Sequence, residues 1–209
     1  MKNLAKRVVE GSIATKLSGR FVQAVAEAAR LHARQKRKGT ERPYIGHLLG
    51  VASLVLENGG DEDQVIAALL HDAVEDQGGL PTLERIRRQF GNRVAEIVDG
   101  CTDAYTIPKP PWRERKEKYL AHLAAAGPSV RLVSAADKLH NVHSLVHDYR
   151  RHGESLWQRF SGGRAGTLWY YRAIADTLAG SACTHLIAEL ERMVAELEQL
   201  AGGHAGTPR

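Results

Sequence analysis

Within six residues, His71-Asp72-Ala73-Val74-Glu75-Asp76 sets one imidazole beside three carboxylates, directly after an apolar run. Residues four apart share a helix face, so His71 aligns with Glu75 and Asp72 with Asp76. Carboxylates are unfavourable near a helix C-terminus, and no lysine or arginine stands between positions 61 and 81 to offset them. A bound cation resolves that conflict. A polar, solvated helix end is the plainer reading of this segment taken alone.

Two further segments weigh against the plainer reading. Pro43-Tyr44-Ile45-Gly46-His47-Leu48-Leu49 places His47 at the start of an otherwise apolar helix; a lone histidine there is more often a core or capping residue. Asp137 follows Leu132-Val133-Ser134-Ala135-Ala136, and a charge buried among such residues must find a cation or hydrogen-bond donors. Asn141, four residues on, faces the same way as Asp137. Lys138, adjacent in sequence, is expected to point elsewhere. Together His47, His71, Asp72 and Asp137 form a mixed nitrogen and oxygen set that suits a divalent transition metal, manganese first, with iron or zinc as alternatives. Coordination positions would remain open for water and a phosphate oxygen. Glu75 and Asp76, one turn further on, are placed to orient or deprotonate that water. Arg37, Lys38 and Lys138 are candidate cations for a phosphate group, although a solvated basic turn is the plainer reading of Arg37 and Lys38 taken alone.

The order of these residues resembles the HD superfamily of metal phosphohydrolases, and more narrowly the stand-alone RelA/SpoT-type hydrolase domain of small alarmone hydrolases. The matching text is Arg37-Lys38-Gly39, Pro43-Tyr44-Ile45-Gly46-His47, Ala67-Ala68-Leu69-Leu70-His71-Asp72-Ala73-Val74-Glu75-Asp76, Phe90-Gly91, Cys101-Thr102-Asp103 and Ala136-Asp137-Lys138-Leu139-His140-Asn141, spanning about residues 20–150. The resemblance implies hydrolysis of guanosine tetraphosphate or pentaphosphate, with pyrophosphate released from the ribose 3′ position. It carries metal ligation onto His47, His71, Asp72 and Asp137 and catalysis onto Glu75 and Asp76. Arg37 and Lys38 match a basic pair beside the nucleotide, and Asn141 matches a substrate-contacting position. The chain departs from the pattern at Leu48, where a proline is usual, at Ser134, where a lysine is frequent, and at His143-Ser144, in place of Arg-Thr. The last two bear on base and phosphate preference.

The elements that must position these groups read as helix after helix. Phe21, Val25, Ala28 and His32 recur at helical spacing, and Leu48, Val51, Ala52 and Val55 mark another helix, stopped by Asn58-Gly59-Gly60. Asp61 with Gln64 forms a capping-box pattern, opening a helix that runs into His71-Asp72. Further helices are expected after Pro81, around Val94 and Ile97, over 112–126, from Val130 to about Arg150, around Trp169-Tyr170-Tyr171 and over 183–200. Residues 107–111 hold three prolines and must be a loop, either a lid over the cleft or a rigid surface turn. The reading is an all-α, single-domain HD-type helical bundle over 1–200, with C-terminal helices over 153–200 and a frayed tail at 201–209. The aromatic cluster Trp169-Tyr170-Tyr171 is expected to pack a core more than to stack on a purine. His140, His143 and His147 share helical spacing but lack a carboxylate partner for a second metal site.

The chain of 209 residues is long enough to bury a sizeable core. No apolar run approaches the roughly 20 residues that cross a bilayer, and residues 1–10 form a short amphipathic segment without a secretion signal. Cys101 and Cys183 sit in no paired motif, which fits a reduced cytoplasmic setting. The formal charge of +5 is dispersed, without an aromatic-basic RNA signature, so a nucleotide is expected and nucleic acid is not. A homo-oligomer, and a role opposite a separate alarmone synthetase, are both compatible with the sequence. Two competing readings use the same site: a broader nucleotide phosphatase, and a catalytically silent nucleotide-binding module.

Overall fold

A helix with no polar face belongs inside a protein, and one such helix is the axis of this fold. The computed structural model describes residues 15–106 and 108–203. In it, α3 (Glu62–Leu70) buries Val65, Ile66, Ala67, Ala68, Leu69 and Leu70 completely. Around it pack α1 (Gly19–Leu31), α2 (Ile45–Glu57), α6 (Asn92–Cys101) and α8 (Pro128–His152). The expected capping box is present: the Asp61 carboxylate accepts from the Gln64 amide at 3.1 Å, and the Gln64 side chain accepts from the Asp61 amide at 2.8 Å. Its start thus fixed, α3 delivers its C-terminal end, and His71, to the centre of the molecule.

One expectation is corrected here. The helix does not run through the acidic motif; the chain turns at His71-Asp72 and resumes as the four-residue α4 (Ala73–Asp76). The bond from the Asp76 amide to the Asp72 carbonyl survives at 3.0 Å, so Glu75 and Asp76 still lie one turn beyond the break. Gly78 and Gly79, both at positive φ, reverse the chain into α5 (Gly79–Phe90), two residues ahead of Pro81.

The remaining helices form the outer wall. They are α7 (Trp112–Ala125), α9 (Gly163–Leu178) and α10 (Thr184–Gly203), with a 3₁₀ turn at Gly153–Arg159 that the sequence reading did not separate. The longest, α8, begins with Pro128 in its first turn and ends at Gly153, whose φ of +56° a side chain would oppose. α10 packs along both α8 and α9 and stays helical to Gly203, past the point where fraying was expected. Among the described residues the one extended pairing is an isolated bridge between Lys36 and Pro43. It closes a basic loop, and a bond from the Arg37 amide to the Arg42 carbonyl at 2.8 Å tightens it. No helix among the described residues is long and apolar enough to cross a membrane. The amphipathic segment expected at 1–10, Ile107 and the end of the tail lie outside the described residues.

Candidate metal centre and active-site cleft

Three helices converge on one point. His47 comes from the first turn of α2, His71 from the end of α3, and Asp137 from the middle of α8; all three are buried. Their ligand atoms lie within 4.8 Å of one another. His47 Nε2 is 3.2 Å from Asp137 Oδ1, and His71 Nε2 is 3.6 Å from the same oxygen. Asp72, on the turn after α3, stands alongside, with Oδ2 3.0 Å from His71 Nε2 and 3.6 Å from His47 Nε2.

Both Nε2 atoms are buried and make no hydrogen bond. The opposite nitrogen of each ring is occupied: His71 Nδ1 lies 2.7 Å from the Ala68 carbonyl, and His47 Nδ1 lies 3.0 Å from His140 Nδ1. With its Nδ1 proton donated to a carbonyl, the neutral form of His71 has its lone pair at Nε2, free for a metal. Two imidazole nitrogens and two carboxylates aimed at one buried point fit a divalent metal ion. The electrostatics agree. Burial alone would lower the His71 pKa, but Asp72 and Asp137 outweigh it and hold the imidazole well above its usual value. Burial likewise opposes charge on Asp137 and Asp72; Lys138 and the two histidines outweigh it at the former, and the histidines at the latter, so both stay well below the carboxylate range.

The carboxylates are held from outside the cluster. Tyr44 donates its hydroxyl to Asp72 Oδ2 at 2.6 Å, and Asn141 donates to Asp137 Oδ1 at 2.5 Å. Lys138 does not point elsewhere, as its adjacent position suggested. Its long stem folds back so that Nζ bonds Asp137 Oδ2, while its ammonium also lies 5.2 Å from the Tyr119 ring centre. Arg37 Nη2 reaches Asn141 Oδ1 at 2.5 Å, linking the basic loop to the same network.

Glu75 opens onto a cavity of about 620 Å³, with Asp76 behind it in the chain. Lys109 lies 2.6 Å from Glu75 and 3.3 Å from Asp76. The counter-charge that the local sequence lacked therefore comes from the proline loop, whose Pro110 also lines the cavity. Asp76 is braced on its other side by Gln35 at 2.8 Å, itself bonded to His32 and Gln77. Burial and the neighbouring Asp103 push Glu75 up to about 7, against the pull of Lys109. Asp103 is nearly sealed, its side chain 4% exposed, and binds Arg115 and Lys116 at 2.5 Å each.

Lys38, Lys109, Arg115, Lys116 and Lys138 give the cavity a strongly cationic wall. A smaller cavity of about 220 Å³ shares Lys38, Asn141, Phe160 and Tyr171 with it and adds Arg37 and Tyr44. Every site residue expected from the sequence thus lies in or beside one cleft. The sequence reading missed the roles of Tyr44, Lys109, Arg115, Lys116, Asp103 and His140. Tyr44, Asp103 and His140 stood inside the matched motifs, but Arg115 and Lys116 sit in a helix so charged throughout that no position stood out. The aromatic helix contributes both as core and as wall. Tyr170 and Tyr171 line the cavity, and Trp169 packs against Trp112 with the Arg113 guanidinium 3.3 Å from its ring centre. His140, His143 and His147 do not converge: His140 turns inward to His47, whereas His143 lies 3.4 Å from Glu189 of α10.

Comparison with known proteins agrees with this geometry. A family model described as "HD domain" matches residues 24–168. A guanosine-3′,5′-bis(diphosphate) 3′-pyrophosphohydrolase, MESH1, of Xenopus tropicalis is 42% identical over 128 residues, which are 60% of this chain and 69% of that protein. Its Homo sapiens counterpart is 39% identical over 131 residues, covering 61% and 70% of the two chains. A solved structure described as a metazoan ortholog of SpoT that hydrolyzes ppGpp superposes with a TM-score of 0.71 at 28% identity, covering 90% of this chain and 99% of that one.

Proposed function

The chain belongs to the HD domain family, and from that premise we propose that it is a manganese-dependent guanosine-3′,5′-bis(diphosphate) 3′-pyrophosphohydrolase. The observation that carries the reading is the pairing of a buried His47-His71-Asp137 cluster, the partly buried Asp72 beside it, with Glu75 on the wall of a cationic cavity. Relatives at about 40% identity are named for this activity, which supports the choice of substrate.

His47, His71, Asp72 and Asp137 would hold the metal. When bound, Mn²⁺ supplies Lewis-acid polarisation of a phosphate oxygen and acidifies water. The reaction joins the water oxygen to the phosphorus attached at the ribose 3′ oxygen, and the bond between that phosphorus and the ribose oxygen breaks. Glu75 takes the proton from water, and a proton ends on the ribose oxygen as it leaves. Asp76, braced by Gln35, orients the water. Lys109, Arg115, Lys116 and Lys138 face the pyrophosphate, where preorganised cations in a low-dielectric wall act most strongly. Arg37, Lys38 and Asn141 border the smaller cavity and contact the nucleoside end. Such an enzyme works in the cytoplasm, opposite a separate synthetase of its substrate.

The test is incubation with Mn²⁺ and a panel of 3′-diphosphorylated guanine and adenine nucleotides, with products separated by chromatography. Release of pyrophosphate with GDP is the expected result. Orthophosphate release would instead mark a phosphatase, and nucleotide binding without turnover would mark a silent module.

A further inference from the structure

We infer that His140 is a positioning residue for the metal centre: it holds the ligand His47 in its metal-facing tautomer, in a notch that only a glycine at position 50 leaves open. The inference rests on the metal-site reading above and adds to it a residue and a backbone requirement.

The two rings meet nitrogen to nitrogen, His47 Nδ1 to His140 Nδ1, at 3.0 Å, with ring centres 4.8 Å apart. One of these nitrogens must donate and the other accept. His47 turns its buried Nε2 toward Asp137 and Asp72, where a metal requires a lone pair. Its proton therefore sits on Nδ1 and is donated to His140, which accepts at its own Nδ1 and carries its proton on Nε2. A ligand histidine whose second nitrogen is held in this way is fixed in both tautomer and ring orientation.

Geometry around His140 gives the second, independent observation. Position 50 lies in mid-helix, one turn beyond His47, and glycine is the poorest helix former short of proline. A Cβ built on Gly50 would collide with His140 Cδ2 and Nε2. The glycine keeps α2 close to α8 and leaves room for the imidazole. On α8, His140 follows Asp137 by three residues, so a single turn supplies one ligand and orients another from a different helix.

The test uses the full chain, stripped of metal with chelator, and reads Mn²⁺ affinity by equilibrium dialysis with no nucleotide present. His140→Leu removes the acceptor and is expected to weaken Mn²⁺ binding about 10- to 100-fold. His140→Asn places a carbonyl oxygen near the lost Nδ1 and is expected to stay within about 3-fold of the wild type. Gly50→Ala should weaken binding in the direction of His140→Leu although alanine favours the helix. Circular dichroism verifies folding of each variant; if the leucine variant does not fold, the asparagine and alanine variants still decide. Wild-type affinity in His140→Leu, or in Gly50→Ala, overturns the inference, as does an asparagine variant as weak as the leucine one. Since no substrate enters the measurement, failure of the pyrophosphohydrolase reading would show separately, as absent turnover in a wild type that binds Mn²⁺.

Discussion

In the proposed function the site has two kinds of carboxylate, Asp72 and Asp137 for the metal and Glu75 and Asp76 for water, and substitutions should separate them. Glu75→Gln is expected to cut turnover by about 10²- to 10⁴-fold while Mn²⁺ affinity stays near wild type; Asp137→Ala should lose the metal itself, and dialysis alongside product assay distinguishes the two. Glu75 must be ionised to accept a proton, and its carboxyl is pushed up to about 7 by burial and by Asp103. The acid limb of the kcat/KM profile should therefore fall as pH drops through about 7. Asp103→Asn removes a negative neighbour and should move that limb to lower pH; an unmoved limb would take Glu75 out of the base role. The convergence of His47, His71 and Asp137 was legible in the sequence because each is a charged or imidazole group set against apolar neighbours, a placement with a large desolvation penalty. Lys138 was misjudged because adjacency on a helix fixes where Cβ points and not where a four-carbon stem ends. Arg115 and Lys116 were hidden among equally charged neighbours, and only the buried Asp103 marks them out.

At the level of elements, the helices were readable wherever a cap or a glycine punctuated a clear period, as Asp61 with Gln64 does for α3. The break at His71-Asp72 was not readable, because Ala73-Val74 continues an acceptable helical pattern and the turn is imposed by packing around the site. The 3₁₀ turn after Gly153 was lost for a similar reason, since its residues carry no strong propensity against a loop. The contact between α7 and α9 offers a test of how elements position the cationic wall. Trp112 opens α7 and fits over Gly162, where a Cβ would fall 2.7 Å from the indole. Gly162→Ala should shift Trp112 and with it Arg115 and Lys116 one turn on, at a stability cost of about 1–3 kcal/mol. The expected signature is KM raised several-fold with Mn²⁺ affinity unchanged, accompanied by a change in tryptophan fluorescence.

For the molecule as a whole, the His47-His71-Asp137 cluster joins α2, α3 and α8 at their common centre, so an ion bound there would be a cross-link as well as a reagent. At a free Mn²⁺ concentration of about 100 times Kd, mass action should stabilise the fold by about 2.7 kcal/mol. For a chain of this size that corresponds to a rise in Tm of about 5–10 °C, measured by calorimetry with and without chelator; an unchanged Tm would mean that the ion does not bind the native state. The buried Asp103 has a consequence of a different kind. Because it anchors Arg115 and Lys116 behind protein walls, their attraction for a polyanion is shielded from mobile ions far better than that of lysines in free solvent. Substrate capture should therefore persist at ionic strengths that abolish purely surface-driven binding.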